Sequence, residues 1–263
     1  MRLGIIGGTN ASLGTTGWER LRVETEFGPA DIEVGEYGST EVVFLRRHGT
    51  EHERLSSAVE HRANIRALAD AGVGAIVGTT VCGVVDRAAP LGRAILFDDL
   101  FFPDNRLPDG SPCTFFAAPS DPERGHLIAP SPFSAGLRGL TACAAERAKI
   151  ELLDRGTYAY ALGPRFNTKA EIAWFASCGA TAVSQTAGPE AVLAAELEIP
   201  YCLLGFGVDY ANGVSAIPTP AEEIGRNVAR SVEAFSTVLS ALAEQFEPVA
   251  FDTGFIYRMA GGA

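Results

Sequence analysis

The order of its apolar runs constrains this chain more than any other feature. Short aliphatic or β-branched runs, Leu3-Gly4-Ile5-Ile6, Glu41-Val42-Val43-Phe44-Leu45, Ala75-Ile76-Val77 and Tyr201-Cys202-Leu203-Leu204, have the length and composition of buried strands. Between them lie helical segments at about 56–71, with Gly72 as a stop, at about 131–149, and at 168–177 and 189–198 on either side of a further run at 180–185. In a final helix Pro220 suits the first turn, and Thr219 and Glu222 have the spacing of a capping box. Its stripe of Ile224, Val228, Val232, Phe235, Leu239, Leu242 and Phe246 recurs at intervals of three and four, the period of one helical face. Strands alternating with helices predict an α/β fold with a mostly parallel β-sheet flanked by helices.

Two regions break the alternation. Residues 20–37 alternate with a period of two around Gly28-Pro29 and predict a β-hairpin. Residues 101–132 are rich in Pro, Asp, Ser and Gly without periodicity, and a loop this long is either functional or disordered. No internal repeat or linker divides the chain, so its 263 residues, 47% of them apolar, are expected to form a single domain, 1–263.

A net charge of -11 repels polyanions, so neither a nucleic acid nor an anionic membrane is an expected partner, and any anion must be bound locally. The first apolar run is interrupted by glycines and does not read as a signal peptide, and no apolar stretch approaches the roughly 20 residues that span a bilayer. A cytoplasmic location is expected. Cys82, Cys113, Cys143, Cys178 and Cys202 are odd in number and contain no CxxC pair, which argues against a disulfide framework or a thiolate metal site and for buried free thiols.

Three anion-friendly segments follow predicted strands. Gly4-Ile5-Ile6-Gly7-Gly8-Thr9-Asn10 runs from a strand into glycines and a hydroxyl, where bare N–H groups approach an anion closely; it reads also as a plain tight turn. Its spacing is not that of a dinucleotide fingerprint. Leu45-Arg46-Arg47-His48-Gly49-Thr50-Glu51-His52 is the second, an arginine offering a bidentate fork for phosphate and the neighbouring histidine a titratable donor, with a solvated basic turn as the alternative. Gly78-Thr79-Thr80-Val81-Cys82-Gly83 is the third. Ligands of open α/β sheets bind at the carboxyl ends of strands, so the three segments support one another.

These segments, together with Ala63-Asn64-Ile65, Gly163-Pro164-Arg165-Phe166, Thr186 with Pro189-Glu190, Val208-Asp209-Tyr210 and the His52 that follows Arg47-His48-Gly49, resemble the trimeric methylthioadenosine and purine nucleoside phosphorylase family in matching order. The resemblance runs from residue 3 to about 240. It implies a nucleoside phosphorylase-like single domain around a large mixed sheet, assembled as a homotrimer or a dimer of trimers, with inorganic phosphate as co-substrate and no cofactor or metal. It assigns phosphate contacts to Thr9, Arg47, His48, Thr80, the Val81 backbone and Thr186. Gln185 falls at the ribose, Phe166 over the purine face, Asn167 beside the base, and His126 at the neighbouring subunit's 5'-pocket. Asp209, near N7, would act as general acid, and His48 accompanies it in the catalytic set. Without the resemblance Asp209 reads more simply as a loop carboxylate capping a turn.

Departures from the family fall inside this site. Ala211 stands where adenine-selective members carry a second aspartate, Asn167 where they have Ser and 6-oxopurine enzymes have Glu, Gln185 in place of Met, and Val81 in place of Ala. An amide both donates and accepts, so Asn167 decides nothing by itself. Retained Asp209 favours a 6-aminopurine such as that of 5'-methylthioadenosine. The alternatives are a 6-oxopurine or modified nucleoside, a nucleosidase using water, or a catalytically impaired nucleoside-binding homologue; a nicotinamide-dependent dehydrogenase ranks last. Near the 5'-position the final helix offers both Ile224 and the glutamates 222 and 223, and only the first suits a methylthio group.

Overall fold

Leu3 and Ile5 pack with one apolar cluster and Ile6 with another, so the first strand is buried on both faces, as a central strand of a helix-covered sheet must be. In the computed structural model, which describes residues 1–8, 13–14, 17–49, 53–116, 118 and 123–258, the chain begins with β1 (Arg2–Gly7), β2 (Glu19–Thr25), β3 (Gly28–Tyr37) and β4 (Thr40–Arg46). A 3-10 turn (Ser56–Ala58), α1 (His61–Asp70), β5 (Val73–Val84), β6 (Ala94–Leu96), β7 (Asp99–Phe101) and β8 (His126–Ile128) follow. The second half comprises α2 (Ala135–Arg147), β9 (Leu152–Leu153), β10 (Thr157–Tyr160), α3 (Lys169–Ser177), β11 (Ala180–Ser184), α4 (Ala187–Glu196), β12 (Tyr201–Tyr210), α5 (Ala221–Glu244) and β13 (Phe255–Tyr257).

One mixed sheet gathers strands from both halves in the order β2-β3-β4-β1-β5-β11-β10-β7 and branches at β5 to β12, β6 and β9. Pairing is parallel for β4-β1-β5, β5-β12, β11-β10-β7 and β6-β9, and antiparallel for β2-β3-β4, β5-β11 and β12-β6. The expected single-domain α/β architecture with a mostly parallel sheet is thus present. Ile65 and Leu68 of α1 and Ala191 and Leu193 of α4 cover one face, while Leu137 of α2 and Phe235, Val238 and Leu239 of α5 cover the other. No helix among the described residues is long and apolar enough to cross a membrane.

The hairpin forms as expected from β2 and β3, but several local expectations are corrected. Gly78–Gly83 is not a loop after a strand: β5 continues to Val84 because β12 runs parallel beside it and supplies ladder partners from Tyr201 to Tyr210. Thr219 does not cap α5; its hydroxyl accepts the Tyr210 N–H at 3.2 Å, Pro220 occupies the cap position, and Glu222 pairs with Arg226. The capping box forms instead at α3, between Thr168 and Glu171. The helix expected from residue 56 breaks into the 3-10 turn and α1, and α2 starts only at Ala135, where Ser134 accepts the Leu137 N–H. Cys143 and Cys178 are exposed, so only Cys82, Cys113 and Cys202 are buried thiols. Parts of the 101–132 loop are ordered as β7's last residue and β8, which pairs with β13.

Phe235 is fully buried with its ring edge-on to Phe206 at 6.2 Å. Phe235→Ala is expected to cost about 3–5 kcal/mol in urea unfolding, as the cavity left by a large apolar side chain does, with an unchanged m value.

Candidate active site

The branch at β5 creates a gap in the sheet. β1 accompanies β5 only as far as Gly78 and β11 joins it at Gly83, so Thr79–Cys82 have no ladder partner on that side among the described residues. Beside this gap lies a cavity of about 440 Å³ lined by Thr80, Val81, Cys82 and Gly83 of β5, the ends of β11 and β12, and the loops after β4 and β10. The register of β12 against β5 shifts between Gly207 and Asp209. A bulge there explains how two consecutive residues, Val208 and Asp209, both line the cavity, where a regular strand would turn them to opposite faces.

Arg47 stands at one end. It is 1% exposed, so it is not a solvated basic turn: Nε and Nη2 donate to the two carboxylate oxygens of Glu190, the latter at 2.8 Å, and Nη1 donates to the Thr79 carbonyl at 2.7 Å. Tyr201 donates its hydroxyl to Glu190 at 2.8 Å. Burial opposes the Arg47 charge, but Glu190 outweighs it and holds the guanidinium above its ordinary range. Burial likewise pushes Glu190 up, and Arg47 more than reverses this, leaving the carboxyl below its usual value. Two glycines make room for the arrangement. A Cβ on Gly8 would lie 2.9 Å from Arg47 Nη1 and 2.6 Å from the Thr79 carbonyl oxygen, and one on Gly78 would collide with the Tyr201 hydroxyl.

Around Arg47 the donors converge. Thr80 shares a 2.9 Å hydrogen bond with Ser184, and Thr186 is the N-cap residue of α4 with no side-chain cap bond, its hydroxyl at the positive end of that helix. His48 lies 2.9 Å through Nδ1 from the Arg54 carbonyl, and since a carbonyl only accepts, Nδ1 carries the proton. Such an end suits an oxyanion.

The Asp209 side of the cavity is more open. Asp209 receives no hydrogen bond among the described residues, and burial pushes its carboxyl up to about 6. Phe166 stands 82% exposed at the rim. Asn167 donates Nδ2 to Glu171 at 3.3 Å, and its backbone carbonyl accepts Asn212 Nδ2 at 2.8 Å. Gln185 joins two walls, accepting from Ser56 at 2.9 Å and donating to the Arg165 carbonyl at 3.0 Å. Ile224 and Val228, not the glutamates 222 and 223, line the remaining side.

Arg47, His48, Thr80, Val81, Phe166, Asn167, Gln185, Thr186, Asp209 and Ala211 therefore meet in one cavity. Thr9 and His52 lie outside the described residues. His126 sits on exposed β8, paired with Tyr257, and does not line the cavity of its own chain. Sequence reasoning assigned no role to Glu190, although Pro189-Glu190 was part of the motif series, and it passed over Ser184 and Asn212, each adjacent to a residue it had marked, and Ser56, which it placed only at the start of a helix.

Residues 2–244 match the family model described as the Phosphorylase superfamily. The chain belongs to that superfamily. It is 35% identical over 232 residues to the S-methyl-5'-thioadenosine phosphorylase of Mycolicibacterium smegmatis, covering 84% of each chain. It is 32% identical over 220 residues to the 6-oxopurine nucleoside phosphorylase of Pyrococcus furiosus, covering 81% of each. Among solved structures, a double mutant of adenosine/methylthioadenosine phosphorylase from Schistosoma mansoni in complex with adenine superimposes with a TM-score of 0.81 at 25% identity, over 92% of this chain and 90% of that one. Superfamily membership accounts for the mixed sheet but leaves the base open, since these relatives act on different purines by name.

In this superfamily member the Arg47–Glu190 pair is fully buried, so neither charge can be removed without exposing the other to a low-dielectric interior. Glu190→Ala leaves a buried guanidinium without its counter-charge and is expected to cost about 3–5 kcal/mol, read by chemical denaturation.

Proposed function

We propose that the protein cleaves the N-glycosidic bond of a purine nucleoside with inorganic phosphate, releasing the free base and a ribose 1-phosphate derivative. The observation that carries this reading is the polarity of one cavity: a buried arginine, two threonine hydroxyls and a helix N-terminus at one end, and a carboxyl of raised pKa at the other. Phosphate would lie against Arg47, His48, Thr80, the Val81 backbone, Thr186 and Thr9, and the purine between Phe166, Asn167, Ala211 and Asp209. The sugar would then span the middle, beside Gln185.

The chemistry follows from that placement. As the C1'–N9 bond lengthens, positive charge grows on the sugar and the bonding electrons move into the purine. A phosphate oxygen held beneath C1' forms the new bond and stabilises the cationic sugar, while Asp209 in its acid form delivers a proton to N7 of the departing base. Arg47 is positioned before the phosphate arrives, because Glu190 and the Thr79 carbonyl already fix its fork, so little reorganisation accompanies binding. The apolar side chains of Val81, Val208, Ile224 and Val228 suit an uncharged, apolar 5'-substituent such as methylthio, while the retained carboxyl of Asp209 favours a 6-aminopurine, and 5'-methylthioadenosine combines the two.

The same reading takes phosphate as the one co-substrate, with no cofactor or metal, in a cytoplasmic homotrimer or dimer of trimers in which His126 serves the neighbouring subunit. Sedimentation and scattering check the assembly, and His126→Ala should weaken nucleoside binding only in the assembled form.

Purified protein given 5'-methylthioadenosine is expected to release adenine only when phosphate is present; equal release without phosphate would identify a nucleosidase instead. Asp209→Asn should lower kcat/KM by about 10²-fold or more, the range of a lost general acid. Because an acid must hold its proton, kcat/KM of the unsubstituted enzyme is expected to fall as pH rises through about 6, and this limb should vanish in the asparagine variant.

A further inference from the structure

Asn167 lines the cavity, and Glu171, four residues on, does not. Both lie at the start of α3, where Glu171 accepts the Thr168 N–H at 2.7 Å and two hydrogen bonds from Arg165, at 2.9 and 2.7 Å. The hydrogen bonds from Arg165 and Thr168 hold the Glu171 carboxyl down at about 2. An ionised carboxylate can only accept, so the group that faces Glu171 at 3.3 Å must be the amide nitrogen of Asn167. The two ends of a carboxamide point apart, so Asn167 Oδ1 is turned away from Glu171, on a side chain that lines the cavity. Asn212, also in the lining, is fixed in the same sense, because its Nδ2 is engaged by the Asn167 backbone carbonyl at 2.8 Å. Ala211 between Tyr210 and Asn212 has no polar side-chain atom, and its N–H and carbonyl are taken by Val84 and Val214, while Asp209 shares the same lining.

We propose that Glu171 is a positioning residue that decides which purine the cavity accepts. By holding the Asn167 amide nitrogen, it presents Asn167 Oδ1 together with Asn212 Oδ1 to the edge of the base, so that the site takes a 6-amino group and rejects a 6-oxo group. An exocyclic amino group brings two N–H donors to these oxygens. A carbonyl at the same place sets lone pairs against lone pairs, which disfavours the 6-oxo base. This inference rests on the phosphorolysis proposed above, and it adds the residue that turns an undirected amide into an acceptor.

The test compares 5'-methylthioadenosine with 5'-methylthioinosine, which share a sugar and differ at C6, at saturating phosphate. The unsubstituted enzyme is expected to favour the amino substrate by at least tenfold in kcat/KM. Glu171→Gln keeps a residue able to complete the Thr168 capping box but has an amide that can donate to Asn167 Oδ1, so the carboxamide is released to turn over; the ratio should fall at least tenfold towards unity. Asn167→Leu, which removes both polar atoms, should lose the discrimination as well and guards against a folding defect in the first variant. A preference for the inosine substrate, or a ratio unchanged in both variants, overturns the proposal. If the unsubstituted protein cleaves neither substrate with phosphate, the functional reading fails instead, and calorimetry with adenine and hypoxanthine then decides the present point. A preference for adenine that Glu171→Gln abolishes sustains it, and equal binding of the two bases overturns it.

Discussion

The buried ion pair of Arg47 with Glu190 is the interaction on which the rest of the site depends. A guanidinium 1% exposed is tolerable only because a carboxylate takes two of its edges and a strand carbonyl a third. Arg47 follows the end of β4, and its two partners come from the unpaired stretch of β5 and the first turn of α4, so the charge requirement ties the sheet to the helix. Gly8 and Gly78 are the steric counterpart of the same requirement, since a side chain at either would occupy the space of Arg47 or Tyr201. In a chain of net charge -11 this is how an anion can be attracted: by a local donor set in a low-dielectric pocket rather than by the overall field.

The cavity exists because the sheet is irregular where it matters. Where β1 ends and β11 has yet to begin, β5 leaves Thr79–Cys82 unladdered on one side among the described residues, and the carbonyls of Thr79 and Val81 accept from side chains, Arg47 and Thr80, instead. The bulge in β12 turns Asp209 into the same space. Burial alone raises that carboxyl, in contrast with Glu190, where the adjacent guanidinium reverses the effect of burial. Two acidic groups in one protein are thus separated in protonation by what lies next to them, one kept as a permanent counter-charge and the other able to carry a proton near neutral pH.

Much of this was legible in the residues. Runs such as Leu3-Gly4-Ile5-Ile6 and the stripe of α5 are long or regular enough that their period identifies them, and Arg47, Thr80, Thr186 and Asp209 stand out because their chemistry is unusual at strand ends. Short strands such as β6, β7 and β10 carry no period and owe their conformation to partners distant in sequence. Thr219 and Glu222 had capping-box spacing, yet the Tyr210 N–H competed for the threonine hydroxyl and won, an outcome that spacing alone cannot reveal.

By itself the sequence determined the α/β class, the hairpin and the set of residues that could bind an anion, because these depend on periodicity and on side-chain type. It left undetermined the protonation of Asp209, the counter-charge of Arg47 and the orientation of the Asn167 amide. Each of these depends on what lies within a few ångströms, and only the tertiary structure brings Glu190 to Arg47 across the fold, partly buries Asp209, and sets the Glu171 carboxylate against the amide nitrogen of Asn167. Electrostatic and hydrogen-bond energies are decided by that proximity, which is why residue identity alone names the groups at a site but not their states.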